Sequence, residues 1–164
     1  ELGHRKIGAI IASPRNGMHD IRYKGFRDVL RTARIACPAA AVRYCADTFE
    51  GAKEAARDLL SAMPDLTAIF VSNDLAALGV LDAAASLGRQ LPQELSVVSI
   101  TNTRASSQSR PALTTVAIPT QRMAIRGIEL LVEIHAGKHR TPPTECIPDL
   151  ELVVRESTAK APPG

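Results

Sequence analysis

The chain has 164 residues, 45% of them hydrophobic and 3% aromatic, and its 20 basic and 17 acidic residues give a formal net charge of +3. This length is sufficient for one domain with a substantial core, and no apolar run approaches the roughly 18 residues that cross a bilayer. The basic residues form no block of five or more, which argues against a DNA-binding surface within these residues, and the scarcity of aromatic residues argues against base-stacking sites.

The first part of the chain alternates between buried strands and amphipathic helices. Residues 6–12 are almost continuously apolar, as in a strand that is buried on both faces. From Asp20 the apolar residues recur at helical spacing, and residues 41–45 predict a second strand. Asp47 is positioned to cap the next helix, and Pro64 ends that helix.

The most informative segment is residues 68–79, in which an apolar strand is followed by a polar pair and then by a helix. Ligands of open α/β sheets bind outside the carboxyl ends of the strands, so the pair Asn73-Asp74 marks a candidate site. A short acidic side chain at a helix start satisfies free backbone N–H groups. We therefore expect Asp74 to cap the helix and Asn73 to face the crevice. Gly88 is placed to end this helix.

The order of the predicted elements indicates the fold class. Residues 95–100 predict a fourth strand, so the order is βαβαβαβ. This alternation predicts an α/β fold with a doubly wound, mostly parallel sheet and helices on both faces. After residue 100 the alternation stops, and a polar loop is followed by a short strand at 113–116, a helix at 120–136 and a last strand at 151–154.

The residues give no support to catalysis or to metal binding. The chain contains no G-x-S-x-G, P-loop or H-E-x-x-H motif, so we predict neither an enzyme nor a bound metal or cofactor. The three cysteines, Cys37, Cys45 and Cys146, are odd in number and lack C-x-x-C spacing. We interpret them as free thiols in a reducing compartment, the cytoplasm, and the first residues show no export signal.

Six segments occur in an order and spacing that identify a family. They are residues 2–7, the motif Arg22-x-x-Gly25-Phe26, and residues 68–79, 91–98, 111–116 and 151–158. Together they resemble the effector-binding half of the LacI/GalR family of bacterial transcription regulators. The resemblance implies the C-terminal subdomain of a type I periplasmic-binding-protein-like fold. It also implies a small-molecule effector, a homodimer, no membrane contact, and DNA binding only through an N-terminal head that this chain lacks.

The family layout also divides the chain into parts. By resemblance, residues 1–117 and 147–158 form the C-terminal effector-binding subdomain, and residues 118–146 are a remnant of the N-terminal subdomain. The first subdomain is otherwise missing, as in a truncated chain. Residues 159–164 contain two prolines and are expected to form a disordered tail.

The resemblance also assigns roles to individual residues. It implies ligand binding by four residues, which are Arg22, Asn73, Asp74 and Thr101, and a dimer interface that includes Leu78, Leu113 and Thr115. The residue types leave alternatives open, because an arginine on a helix can simply face solvent and an asparagine at a turn can bond its own backbone. Asp74 fits a helix cap better than a ligand contact.

The sequence departs from the family pattern at the expected ligand site. Family members commonly carry Gly-aromatic-Asp-Asp where this chain has residues 99–102, Ser-Ile-Thr-Asn. Thr101 therefore stands in place of the usual ligand-binding aspartate, Ala46 in place of an aromatic residue, and Ile118 in place of a glutamine. We infer that the pocket loses a negative charge opposite Arg22. This change favours an anionic or less hydroxylated effector over a plain sugar, and a site that no longer binds also fits it.

The sequence is compatible with two functions of different classes. The first is the effector-sensing and dimerising module of a LacI-type regulator, with a sugar-like or anionic effector. The alternative is a periplasmic sugar-binding protein of a transporter, which shares the sheet architecture. The segments 111–116 and 152–158 favour the regulator.

Overall fold

The computed structural model describes residues 2–12, 17–139, 141, 143–147 and 150–163. Its six strands are β1 (Ile7–Ala12), β2 (Val42–Cys45), β3 (Ala68–Val71), β4 (Ser96–Thr101), β5 (Thr114–Ala117) and β6 (Glu151–Val153). Its helices are α1 (Gly17–Thr32), α2 (Phe49–Ala62), α3 (Asp74–Ser86), α4 (Arg104–Gln108) and α5 (Thr120–His135), with a short 3-10 turn at Ala39–Ala41.

The strands form one sheet in the order β2-β1-β3-β4-β5-β6. All neighbouring strands are parallel except β6, which runs antiparallel to β5. The predicted fold class, a doubly wound and mostly parallel sheet, is confirmed. Because the chain passes from β1 outward to β2 and then returns to β3, the order reverses between β1 and β3. This reversal is the switch point at which open sheets bind ligands.

Alternating side chains of the central strands build a core on each face of the sheet. Ile10 of β1 and Ile69 of β3 belong to the larger core, together with apolar residues of α2 and α3. Ile11 of β1 belongs to the smaller core, against which Phe26 of α1 packs. Phe26 stacks on Phe70 of β3 with ring centroids 4.9 Å apart. The side chains of consecutive strand residues thus point to opposite faces of the sheet, and helices pack on both faces.

Two residues expected at a dimer interface are instead inside the core of this chain. Leu113 and Thr115 are fully buried, and Thr115 donates its hydroxyl to Asp74. Their side chains therefore have no surface to offer a second copy, and that expectation is wrong for both residues. Leu78 is partly buried against the larger core, and its role at an interface stays a prediction.

Helix α5 is formed, but it buries none of its residues among the described part of the chain. Ile128, near its middle, is 63% exposed. The other large apolar side chains that α5 leaves exposed are Met123, Ile125, Leu131, Val132 and Ile134. No helix within the described ranges has the length and apolarity that a bilayer crossing requires.

Residues 159–163 lie along the amino-terminal edge of the sheet. The backbone N–H of Ala159 donates to Ser96 Oγ at 3.0 Å, and that of Ala161 donates to the carbonyl oxygen of Leu2 at 2.8 Å. A ring nitrogen of His4 lies 3.0 Å from the Ala159 carbonyl oxygen. The expectation of a disordered tail is therefore wrong for these residues, and Gly164 lies outside the described residues.

Gly79 allows α3 to lie directly against α2. A Cβ atom at this position would lie 2.3 Å from the carbonyl oxygen of Phe49 and 3.0 Å from the backbone nitrogen of Lys53. Both atoms belong to the backbone, so no side-chain rotation can relieve the contact. The close approach therefore requires glycine.

We predict that Gly79→Ala lowers the free energy of unfolding by about 3 kcal/mol, because the methyl group overpacks the contact between the two helices. The control is Gly25→Ala in α1, where an added Cβ meets open space and the gain in helix propensity should stabilise the chain by up to about 1 kcal/mol. Urea unfolding followed by circular dichroism measures both. Equal effects of the two substitutions would contradict the assigned role of Gly79.

Candidate functional site

Arg22 joins α1 to the carboxyl end of β3. Its Nη1 donates to the carbonyl oxygen of Ser72 at 2.7 Å, and its Nη2 lies 3.5 Å from Met18 Sδ. Burial lowers the pKa of the guanidinium from its ordinary value, and the nearby carboxylates of Asp47 and Asp74 partly offset this effect. Because a guanidinium has five N–H donors, the bond to Ser72 leaves others for a ligand.

Asn73, rather than Asp74, caps α3. Asn73 Oδ1 accepts from the backbone N–H of Ala76 at 2.8 Å, and its Nδ2 donates to Asp47 Oδ1 at 2.6 Å. The expectation that Asp74 caps the helix is wrong. Asn73 keeps one amide N–H beyond these two bonds, so a contact between Asn73 and a ligand stays a prediction.

Thr48 takes the role that the sequence suggested for Asp47. The Thr48 side chain caps α2 by accepting from the backbone N–H of Gly51 at 3.0 Å. Asp47 is consequently not used as a helix cap. Its carboxylate lies instead beside Asn73, at the carboxyl end of β2.

Asp74 is enclosed by hydroxyl and amide donors. Asp74 is only 1% exposed. Its Oδ1 accepts from Ser99 Oγ at 2.5 Å and from Thr115 Oγ1 at 2.7 Å. Oδ2 accepts from the backbone N–H of Thr103 at 2.7 Å and from Thr103 Oγ1 at 3.1 Å. With both oxygens occupied and buried, Asp74 is not placed to touch a ligand, which corrects its assignment as a ligand-binding residue.

The hydrogen bonds around Asp74 also determine its charge state. Burial acts to raise the pKa of the carboxyl, but the hydrogen bonds from Ser99, Thr115 and Thr103 outweigh it and hold the pKa below its ordinary value. Asp74 is therefore ionised at neutral pH. It ties the start of α3 to β4, to β5 and to the loop that leads into α4.

Thr101, the last residue of β4, and Asn102, which follows it, have positive φ angles of 152° and 62°. The Thr101 hydroxyl bonds locally to the carbonyl oxygen of Ile100. Asn102 Oδ1 accepts from Arg155 Nη2 at 2.6 Å, and Arg155 Nη1 donates to the Leu113 carbonyl oxygen at 2.7 Å. Within the described ranges no hydrogen bond joins Thr101 to Arg22 or Asn73, so a ligand contact of Thr101 stays a prediction.

His19 is a site residue that the sequence analysis missed. It is 2% exposed, and its Nε2 lies 3.7 Å from Asp47 Oδ2, while its buried Nδ1 has no hydrogen-bond partner among the described residues. One signal could have revealed it, since His19 and Arg22 are three residues apart and so share a face of α1. The interpretation of Asp47 as a cap concealed the contact.

An open cavity of about 480 Å³ lies between the carboxyl ends of β4 and β5 and the helix α5. Arg22 lines it, and it is the one predicted ligand-binding residue among the described lining residues. The cavity is otherwise mainly apolar, with Ile100, Val116, Ile118, Met123 and Leu130 among its walls. Within the described ranges, no group of three His, Cys, Asp or Glu side chains could hold a metal ion.

Comparison with known proteins gives one domain family. The model of the periplasmic binding protein-like domain matches residues 1–158. The chain is 32% identical over 158 residues to the HTH-type transcriptional regulator CelR of Thermobifida fusca, covering 96% of this chain and 46% of the relative. It is 30% identical over 162 residues to the HTH-type transcriptional repressor CytR of Escherichia coli (strain K12), covering 99% of this chain and 47% of the relative.

The solved structures agree with the sequence relatives. A complex of the transcriptional regulator CelR with cellobiose superimposes with a TM-score of 0.88 at 30% identity, covering 94% of this chain and 47% of that chain. The chain thus spans about half the length of the curated relatives it matches.

We predict that Asp74→Asn lowers the free energy of unfolding at pH 7 by about 3 kcal/mol, because it disrupts a buried charged acceptor. The control is Asp65→Asn, whose carboxylate forms an exposed ion pair with Lys6 and should contribute less than about 1 kcal/mol. Urea titrations at several pH values measure both.

The pH dependence gives a second readout of the same carboxylate. Because folding lowers the pKa of Asp74, its stabilising effect is present above the pKa of the unfolded chain and is lost as the pH falls through the folded value. The difference between the wild type and Asp74→Asn should therefore narrow below about pH 4. A difference that stays constant as the pH falls to about 3 would contradict the ionised state of Asp74.

Proposed function

The chain belongs to the periplasmic binding protein-like family of LacI-type transcriptional regulators, and we propose that it is the effector-sensing and dimerising module of such a regulator. Its effector is a small polar molecule bound at the carboxyl ends of the strands. DNA binding belongs to a separate head outside these residues, and the regulator acts in the cytoplasm. The relatives are named as regulators, which favours this function over a transporter's sugar-binding protein and over an enzyme.

The observation that carries this proposal is the position of Arg22 at the switch point of the sheet. Its guanidinium reaches the end of β3 and lines the open cavity at the carboxyl ends of β4 and β5. Ligands of open α/β sheets bind outside the carboxyl ends of the strands, at the switch point. A planar group with several donors, such as a guanidinium, suits hydroxyl or carboxylate oxygens. The solved CelR relative is a complex with cellobiose.

We propose that residues 118–146 belong to a second subdomain that closes over this site. The exposed apolar side chains of α5 support the proposal, since leaving each uncovered costs roughly 1.5–3 kcal/mol. The relatives are about twice as long as this chain. A protein of that length contains further residues that can pack against α5. An effector held between two subdomains favours one arrangement of them over another. That difference in affinity couples effector binding to the DNA affinity of the head.

We also propose a symmetric homodimer in which α3 forms part of the interface. Leu75 is 49% exposed on the first turn of α3, and Leu78 follows one turn later, partly buried. An exposed leucine next to a partly buried one gives an apolar patch that a second copy can cover. Asp82 lies one further turn along the same helix.

The effector proposal is tested by titrating the chain with cellobiose and other neutral sugars while recording the NMR signals of the Arg22 and Asn73 side chains. We expect millimolar binding because, without the proposed covering subdomain, a ligand on this chain stays partly in water. Arg22→Ala should weaken this binding at least about tenfold through loss of a charged hydrogen bond. The control is Arg110→Ala, whose guanidinium donates to nearby carbonyl groups of its own loop. If Arg22→Ala and Arg110→Ala bind alike, Arg22 is not part of the site.

The dimer is tested by sedimentation at tens of micromolar chain. Leu75→Lys should weaken self-association about tenfold or more, because it places a charge in an apolar interface. Val29→Lys is the matched control, since Val29 is also an exposed apolar residue but lies on α1. A wild-type chain that sediments as a monomer, or a Leu75→Lys chain that still dimerises, would refute the proposed interface.

A further inference from the structure

Asp47 is a carboxylate at the strand-end site that remains accessible. Asp74 is buried and bonded to four donors, so it is closed to a ligand. The Asp47 side chain, in contrast, is 39% exposed. It follows β2, whose neighbour in the sheet is β1, and so lies beside the switch point.

Asn73 holds the Asp47 carboxylate in place, and His19 lies close to it. Asn73 Nδ2 donates to Oδ1 at 2.6 Å, and His19 Nε2 lies 3.7 Å from Oδ2. His19 is buried, and its Nδ1 has no hydrogen-bond partner among the described residues. The imidazole ring is therefore a further polar group beside Asp47. A carboxylate held in this way offers its remaining lone pairs without a large cost in side-chain entropy.

Asp47 also supplies the negative charge near Arg22. The Asp47 carboxylate acts to raise the pKa of the Arg22 guanidinium, against the larger effect of burial. The negative charge that Thr101 no longer provides is therefore present at another strand end. Asp47 thus offsets the expected loss of negative charge near Arg22, which weakens the reason for favouring an anionic effector.

We propose that Asp47 is the specificity-determining residue of this site: it accepts a hydrogen bond from a hydroxyl or amine group of the ligand and excludes anions from Arg22. The inference rests on the proposed function and narrows its choice of effector. The carboxylates of Asp47 and Asp74 outnumber the one guanidinium of Arg22 near which they lie. Arg126 also lines the cavity, but its guanidinium pairs with Glu129, Glu133 and Glu145. These ionised groups therefore leave no net positive charge for an anion. A ligand group that both donates and accepts hydrogen bonds can contact Asp47 and Arg22 together.

The test uses inorganic phosphate as the anionic probe. In Asp47→Asn the side chain keeps its shape and an oxygen that accepts from Asn73, but it loses the negative charge. Removal of one charge within several ångströms of the bound anion should strengthen phosphate binding about tenfold. Asp65→Asn is the control, because Asp65 pairs with Lys6 at the amino end of the sheet and its removal changes the net charge equally.

The readout is the NMR shift of the Arg22 Nε–H signal during titration at constant ionic strength, which fixes charge screening. We expect phosphate to move this signal in Asp47→Asn at concentrations about tenfold lower than in the wild type and in Asp65→Asn. Asp47→Ser is a second variant that removes the charge and should behave as Asp47→Asn does. It serves as the test if Asp47→Asn does not fold.

Two outcomes overturn the proposal. If phosphate shifts the Arg22 signal equally in the wild type and in Asp47→Asn, Asp47 does not exclude anions, although the site still binds a small ligand as the proposed function requires. If phosphate leaves the Arg22 signal unchanged in every variant, Asp47 does not control access to Arg22. Failure of the proposed function is seen separately, in the response of wild type and Arg22→Ala to neutral sugars.

Discussion

One buried carboxylate connects the carboxyl end of β3 to the neighbouring strands β4 and β5. Asp74 begins α3 directly after β3, and its oxygens accept from Ser99 of β4, from Thr115 of β5 and from Thr103 before α4. A charge inside a protein is tolerated only when its lone pairs are satisfied. The four donors satisfy Asp74, and in return the loops that follow β3 and β4 are held in one arrangement. The edge of the sheet at which a ligand would bind is therefore preorganised before any ligand arrives.

The inward position of Asp74 determines which groups remain for a ligand. Asn73 caps α3 and so turns its amide toward Asp47. Thr48 caps α2, which releases the Asp47 carboxylate to the site. Arg22 reaches the same edge from α1. The polar side chains of three different connections thus converge at the switch point, as expected where the strand order reverses.

Hydrophobic periodicity and the order of helices and strands along the chain are sufficient to predict the sheet. Continuous apolar runs that alternate with helices leave few other topologies. The site was predicted less well because helix caps compete locally. Asp74 and Asn73 are both good caps, and sequence alone does not tell which oxygen meets the N–H groups and which turns inward. The partners of Asp74 come from positions 25 to 41 residues away, beyond any local pattern. Leu113 and Thr115 fit an interface strand by resemblance, yet in this chain both are core residues.

The most direct measurement is a crystal structure of the chain with a ligand selected by the sugar titration, in the presence of the remaining part of a full-length regulator. We predict ligand atoms within about 3 Å of the Arg22 guanidinium and of the Asp47 carboxylate, with Asp74 still bonded to Ser99, Thr115 and Thr103. A ligand that lies away from the carboxyl ends of β1 and β3, or that bonds directly to Asp74, would contradict the central claim that a buried Asp74 organises a site formed by Arg22 and Asp47.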